Sequence, residues 1–180
     1  MNLNSVLSIF KPKVFADKVK DVQSIKVATL SLFTYFIVSY VYIIISSYVQ
    51  FDIMVYPTYF DAIILLGWFT LISGIAYCLS KMFSTSYASM YSGIVYPLIL
   101  FQTLLLIFPS VYVYGFLINN GLYVSGIYFV LPLLVLLVSY QTYVVTKIST
   151  LSTPQILITI LLLLLQYFLV GLQAIIPVPW

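Results

Sequence analysis

The chain has almost none of the residues that carry enzyme chemistry. It contains no His, no Glu and no Arg, a single cysteine (Cys78), and formal charges supplied entirely by seven lysines and four aspartates. Haem ligation by His, zinc centres of His and Cys, paired-cysteine redox chemistry and His-activated nucleophiles all lack their residues. A pair of carboxylates is the minimum for aspartyl-type hydrolysis or cation coordination, and Asp52 and Asp61 are the only acids beyond residue 26. Asp52 falls in a connecting segment and Asp61 at a helix start, where a carboxylate complements the positive end of the helix dipole. Solvated and capping roles therefore outweigh a functional pair. No catalytic residue, metal ligand or cofactor is expected, and the chain is read as a non-enzyme.

The lysines are the other charged resource. Five of them, Lys11, Lys13, Lys18, Lys20 and Lys26, stand in the first 26 residues with Asp17 and Asp21. A net charge of +3 without arginine is too sparse for the stripe of phosphate contacts that nucleic acid requires, so no nucleic-acid partner is expected. Pro12 suits the first turn of a helix, after which Val14, Phe15, Val19, Val22 and Ile25 fall on one broad face. This pattern predicts a short amphipathic helix lying in a membrane interface. Phe15 would dip inward while Lys11, Lys13 and Lys20 reach anionic headgroups or a partner's acidic face. The plainer alternative is a solvated leader helix.

The elements that would position these residues follow from the composition, which is 63% hydrophobic and 6% charged, against about a quarter charged in ordinary soluble domains. Apolar runs of about 20 residues match the thickness of a bilayer. They predict an all-α polytopic bundle of five transmembrane helices, at about 27–47, 61–80, 88–108, 122–145 and 154–176. The domain division is a leader, 1–26, and a helical domain, 27–180. Asn119, Asn120 and Gly121 give a turn before the fourth helix, and Ser152 or Thr153 with Pro154 a start for the fifth. Five spans place every lysine on one side, which under the positive-inside rule gives a cytoplasmic amino terminus and an exterior carboxyl terminus. The first 25 residues lack the continuous apolar core of a secretory signal.

Within the expected spans no ionisable side chain is buried, which argues against proton- or sodium-coupled transport. Gln102, Gln141, Gln166 and Gln173 remain as neutral groups suited to bonding between helices. Gly67, Gly74 and Cys78 share one face of the second helix, and Ser89 and Gly93 form a small-xxx-small pair on the third. These five are the interface candidates, read first as packing within the bundle and second as a dimer or partner surface. Cys78 is read as a buried small residue, with palmitoylation as the alternative. Pro97, Pro109 and Pro132 interrupt or end helices and shape their packing.

The arrangement resembles the Yip1-domain superfamily. The resemblance rests on Phe10-Lys11-Pro12-Lys13-Val14-Phe15 before the first helix and on the Lys81 connection followed by Ser86-Tyr87-Ala88. It rests also on Gly93-Ile94-Val95-Tyr96-Pro97 in the third helix and on Lys147 between the last two. The chain departs from the family in reading Ser84-Thr85-Ser86 where adjacent glycines are common. It also lacks the Asp-Leu-Tyr-Gly-Pro type segment of eukaryotic members and their long amino-terminal region. The resemblance implies a prokaryotic-type member in the cell membrane, in contact with the lipid bilayer and with other membrane proteins or a second copy of itself. The expected function is a non-enzymatic membrane scaffold or accessory subunit, the alternative being a carrier or channel for a neutral or lipid-like solute.

Overall fold

The computed structural model describes residues 8–51, 59–107 and 123–175, and these contain helices and no strands. A 3-10 turn at Ser8–Phe10 leads into the short helix α1 (Pro12–Lys20). Five long helices follow: α2 (Lys26–Phe51), α3 (Tyr59–Met82), α4 (Tyr87–Ile107), α5 (Tyr123–Ile148) and α6 (Thr153–Ile175). Each long helix corresponds to one of the five expected apolar segments. The all-α expectation holds.

The expectation that these helices cross a membrane does not. Among the described residues no helix is long and apolar enough to do so. The five transmembrane spans, the integral-membrane location and the inside and outside assignment of the two termini are corrected accordingly. Several of the apolar runs counted in the sequence extend past the described residues, to Phe108, from Leu122 and to Ile176. The described portions are punctuated by hydroxyl and amide side chains, such as Thr29, Thr34 and Ser39 in α2 and Gln141, Thr142 and Thr146 in α5.

Local chemistry sets the helix ends. Lys11 precedes α1 with Pro12 at its first turn, and the Phe15 N–H donates to the Lys11 carbonyl at 3.0 Å. The Ser24 hydroxyl accepts from the Lys26 N–H at the start of α2. At α6, Gln155 Oε1 accepts both from the Ser152 N–H and from the Ser152 hydroxyl, each at 2.9 Å. The glutamine thus reaches back to the residue preceding the helix, as in a capping box, and Ser152 rather than Thr153 is the cap.

Helix α4 is the hub, packing against α1, α2, α3 and α5, while α6 closes the bundle against α3 and α5. From Ala88 to Leu98 nearly every side chain of α4 is buried. Its small residues permit this. A methyl group on Gly93 would stand 3.1 Å from both Val144 and Ile148 of α5 and 3.7 Å from Val19 of α1.

The apolar face of the leader helix is taken up by the bundle. Phe15, Ala16 and Val19 turn into the bundle, 1%, 1% and 2% exposed, against α5 and α4. The Phe15 ring centroid lies 6.2 Å from both Tyr96 and Tyr140, edge-on to the former. Phe15 is therefore a core residue and not a membrane-surface one, because a ready apolar groove between α4 and α5 takes the stripe that the sequence assigned to an interface.

Candidate functional site

The helix directions gather the cations at one end of the bundle. Thr29 near the start of α2 meets Tyr91 near the start of α4 through a 3.4 Å hydroxyl contact, so these helices run parallel. Gly93 near the start of α4 faces Val144 and Ile148 near the end of α5, so that pair runs antiparallel. Lys26 begins α2, Lys81 ends α3 and Lys147 ends α5, beside the exposed Lys11, Lys13, Lys18 and Lys20 of α1.

The leader is fastened there by side chains. Ser89 donates to the Lys20 carbonyl at 3.0 Å and to the Val22 carbonyl at 3.3 Å, satisfying groups that the end of α1 leaves free. Tyr140 donates to the Ile9 carbonyl. Burial, with a smaller contribution from Tyr143, pushes the Tyr140 hydroxyl up to about 12, so it stays a donor at physiological pH.

At this end a cleft of about 550 Å³ opens at the α3–α4 corner, lined by Tyr77, Ser80, Lys81, Ser84, Thr85 and Tyr87. The Lys81 ammonium sits 5.6 Å from the Tyr77 ring centroid. The Thr85 hydroxyl is shielded from solvent without a hydrogen-bond partner.

Further along the bundle is a polar centre. Gln141 and Gln166 are both fully buried. Gln166 Nε2 donates to Gln141 Oε1 at 2.6 Å, and Gln141 Nε2 donates to the Ile94 carbonyl at 2.9 Å, with a longer 3.3 Å contact to Gln166 Oε1. Three helices are thereby tied at one point. Pro97, three residues after Ile94, removes the helical donor of the Gly93 carbonyl, while the Gln141 amide adds a side-chain donor to the neighbouring Ile94 carbonyl.

No protein-family model, curated protein or solved structure matches the chain.

The sequence candidates separate into two groups. Ser89 and Gly93 are buried and serve packing within the bundle. Gly67 is half-buried, whereas Gly74 and Cys78 face outward with Leu66, Thr70 and Tyr77. No atom lies within 4 Å of a methyl group built on Gly74. The reading of Cys78 as a buried residue is corrected, since α3 turns Ile72, Ile75, Ala76 and Leu79 inward instead. Asp52 and Pro109 lie outside the described residues, as do the side chains of Asp61, Gln102 and Gln173. Among the described residues no group of three or more potential ligands could hold a metal ion.

The outward surface is what sequence reasoning left unresolved. Leu30, Phe33, Ile37, Val38 and Val41 on α2 are exposed, as are Val135 and Leu136 on α5 and Leu157, Leu161 and Leu165 on α6. Two fully buried amides thus stand within an apolar core whose outward faces also carry exposed leucines.

Proposed function

We propose that the chain is a non-enzymatic scaffold or accessory subunit whose outer helix faces are covered in its working state by apolar partners, lipid or the helices of another protein or copy. The observation that carries this reading is the reversal on α6. Leu157 and Leu161 are 60% and 65% exposed, while Gln166 on the same helix is fully buried. Apolar patches beyond a few hundred Å² mark interaction surfaces in folded proteins, and here the apolar faces run along three helices. The order of a short leader helix and five long helices supports a Yip1-like architecture as part of the same proposal. The cleft at the α3–α4 corner is lined by neither Pro97 nor Pro132, so it does not supply the cavity at kinked helices that the carrier alternative calls for.

The test is a paired substitution, Leu157→Asn with Leu161→Asn, in protein purified in mild detergent. Helix content and thermal stability should stay close to the parent, since neither side chain is in the core. Co-purification of lipid or of a stoichiometric partner should fall severalfold. Unchanged association with both partner classes would overturn the reading.

A further inference from the structure

The end of the bundle where the lysines gather is a surface that the scaffold reading does not use. Four elements bring charge to it around the first turns of α4. Ser89 of α4 holds the Lys20 carbonyl at the end of α1. The Thr29–Tyr91 contact sets the start of α2, with Lys26, beside α4. Ser84, in the left-handed region at φ 51°, helps the chain reverse between Lys81 and α4, and Ile148, next to Lys147, faces Gly93. All four of these lysines are exposed. Of the described acidic residues, Asp17 and Asp21 stand among them, whereas Asp61 lies near the start of α3, a helix length away from Lys81. Apolar and aromatic side chains interleave with the charges. Val27 and Met82 are exposed and adjoin Lys26 and Lys81 in the chain. The exposed rings of Tyr77 and Tyr143 lie 5.6 and 5.8 Å from the Lys81 and Lys147 ammonium groups.

We propose that this end docks on an anionic phospholipid surface, with Lys20, Lys26, Lys81 and Lys147 at the headgroups and Val27 and Met82 entering the boundary beneath them. Two observations select a lipid surface over an acidic protein. The chain has no arginine, whose fork picks out single carboxylates and phosphates, and its lysines are point charges spread over separate helices. Spread charge matches a surface whose own charge is spread, each lysine near it contributing attraction that fades over a Debye length. Lysine stems and tyrosine rings also join an apolar body to a polar tip, the composition that suits the zone between headgroups and acyl chains. Docking of this kind needs no helix to cross the bilayer. Asp21 lies beside the Lys20 and Val22 carbonyls that Ser89 holds, and its charge opposes the attraction.

The test is flotation of the full chain with vesicles of phosphatidylcholine, with and without phosphatidylserine. The chain is held in a non-ionic amphipathic polymer that covers its outer helix faces, so the outcome is separate from that of the scaffold reading. Binding should require phosphatidylserine and fall steeply between about 0.1 and 1 M salt, as the Debye length shrinks from about 10 to about 3 Å. Lys26→Gln with Lys81→Gln should weaken it about tenfold or more, and the corresponding Arg pair should retain it. Asp21→Asn should strengthen it about threefold, a gain that misfolding cannot produce. Val27→Ser with Met82→Ser should weaken it about threefold or more at either salt. Circular dichroism checks that each variant remains helical. Equal flotation with both kinds of vesicle, or flotation indifferent to the paired lysine change, would overturn the proposal. So would soluble polyglutamate that competes as well as vesicles do while the Val27 and Met82 changes have no effect, an outcome that would point to an acidic protein.

Discussion

At the scale of single residues, Gln141 and Gln166 decide how α4, α5 and α6 fit together. A buried amide left without its partner loses the full cost of desolvation, while replacing both partners by apolar groups of similar shape is close to neutral. Gln141→Leu removes the Nε2 donor to the Ile94 carbonyl and the Oε1 acceptor of Gln166 Nε2, leaving the buried Gln166 amide without its partner, and should destabilise the fold by about 1–3 kcal/mol. Gln141→Leu with Gln166→Leu should cost less than the sum of the two single changes, read from thermal or denaturant unfolding as a double-mutant cycle. Strict additivity would mean that the pair is not coupled. The sequence marked these glutamines as helix-to-helix bonding groups. It could not show that they meet each other, because the contact depends on the axial register of α5 against α6.

Glycines tell helix faces apart at the scale of elements. The sequence placed small residues on one face of α3 and one face of α4, and treated both as surfaces of close approach. Only the α4 face works that way, since Ser89 and Gly93 receive α1 and α5 while Gly74 looks outward. Spacing alone cannot distinguish them, because a small-xxx-small pair is compatible with a neighbour whether or not one is there. The two positions should respond oppositely to substitution. Gly74→Ala meets nothing within 4 Å and removes a glycine from a helix interior, so it should stabilise by up to about 1 kcal/mol. Gly93→Val would force branched atoms against Val144 and Ile148, already 3.1 Å from a first added carbon, and should cost about 1–3 kcal/mol. Unfolding midpoints of the two variants check both signs. The leader shows the same limit of sequence pattern from the other side. Its apolar stripe was legible, but the stripe fits a groove as well as an interface, and tertiary packing made the choice.

Over the whole molecule, the leader packs into the same core as the long helices. Its apolar face completes the core at the lysine end, and its last carbonyls are satisfied by Ser89 of α4. A nine-residue helix is too short to be stable alone, so α1 persists only by packing. The reverse dependence follows from burial. Phe15 is 1% exposed against Tyr96 and Tyr140, and Phe15→Ala would leave a cavity there costing about 3–5 kcal/mol. Trp68, 2% exposed on α3, provides a distant reporter once Trp180 is replaced by Phe. If the leader and the bundle unfold together, Phe15→Ala should lower the midpoint seen by Trp68 fluorescence and by circular dichroism to the same extent. Replacing the exposed Lys11, Lys13 and Lys20 by Gln should shift either midpoint little, since surface changes usually fall within about 0.5 kcal/mol. A Phe15→Ala protein whose Trp68 transition stays in place while a small helical fraction melts early would show that α1 is an appendage. In that case the groove between α4 and α5 would hold together without it.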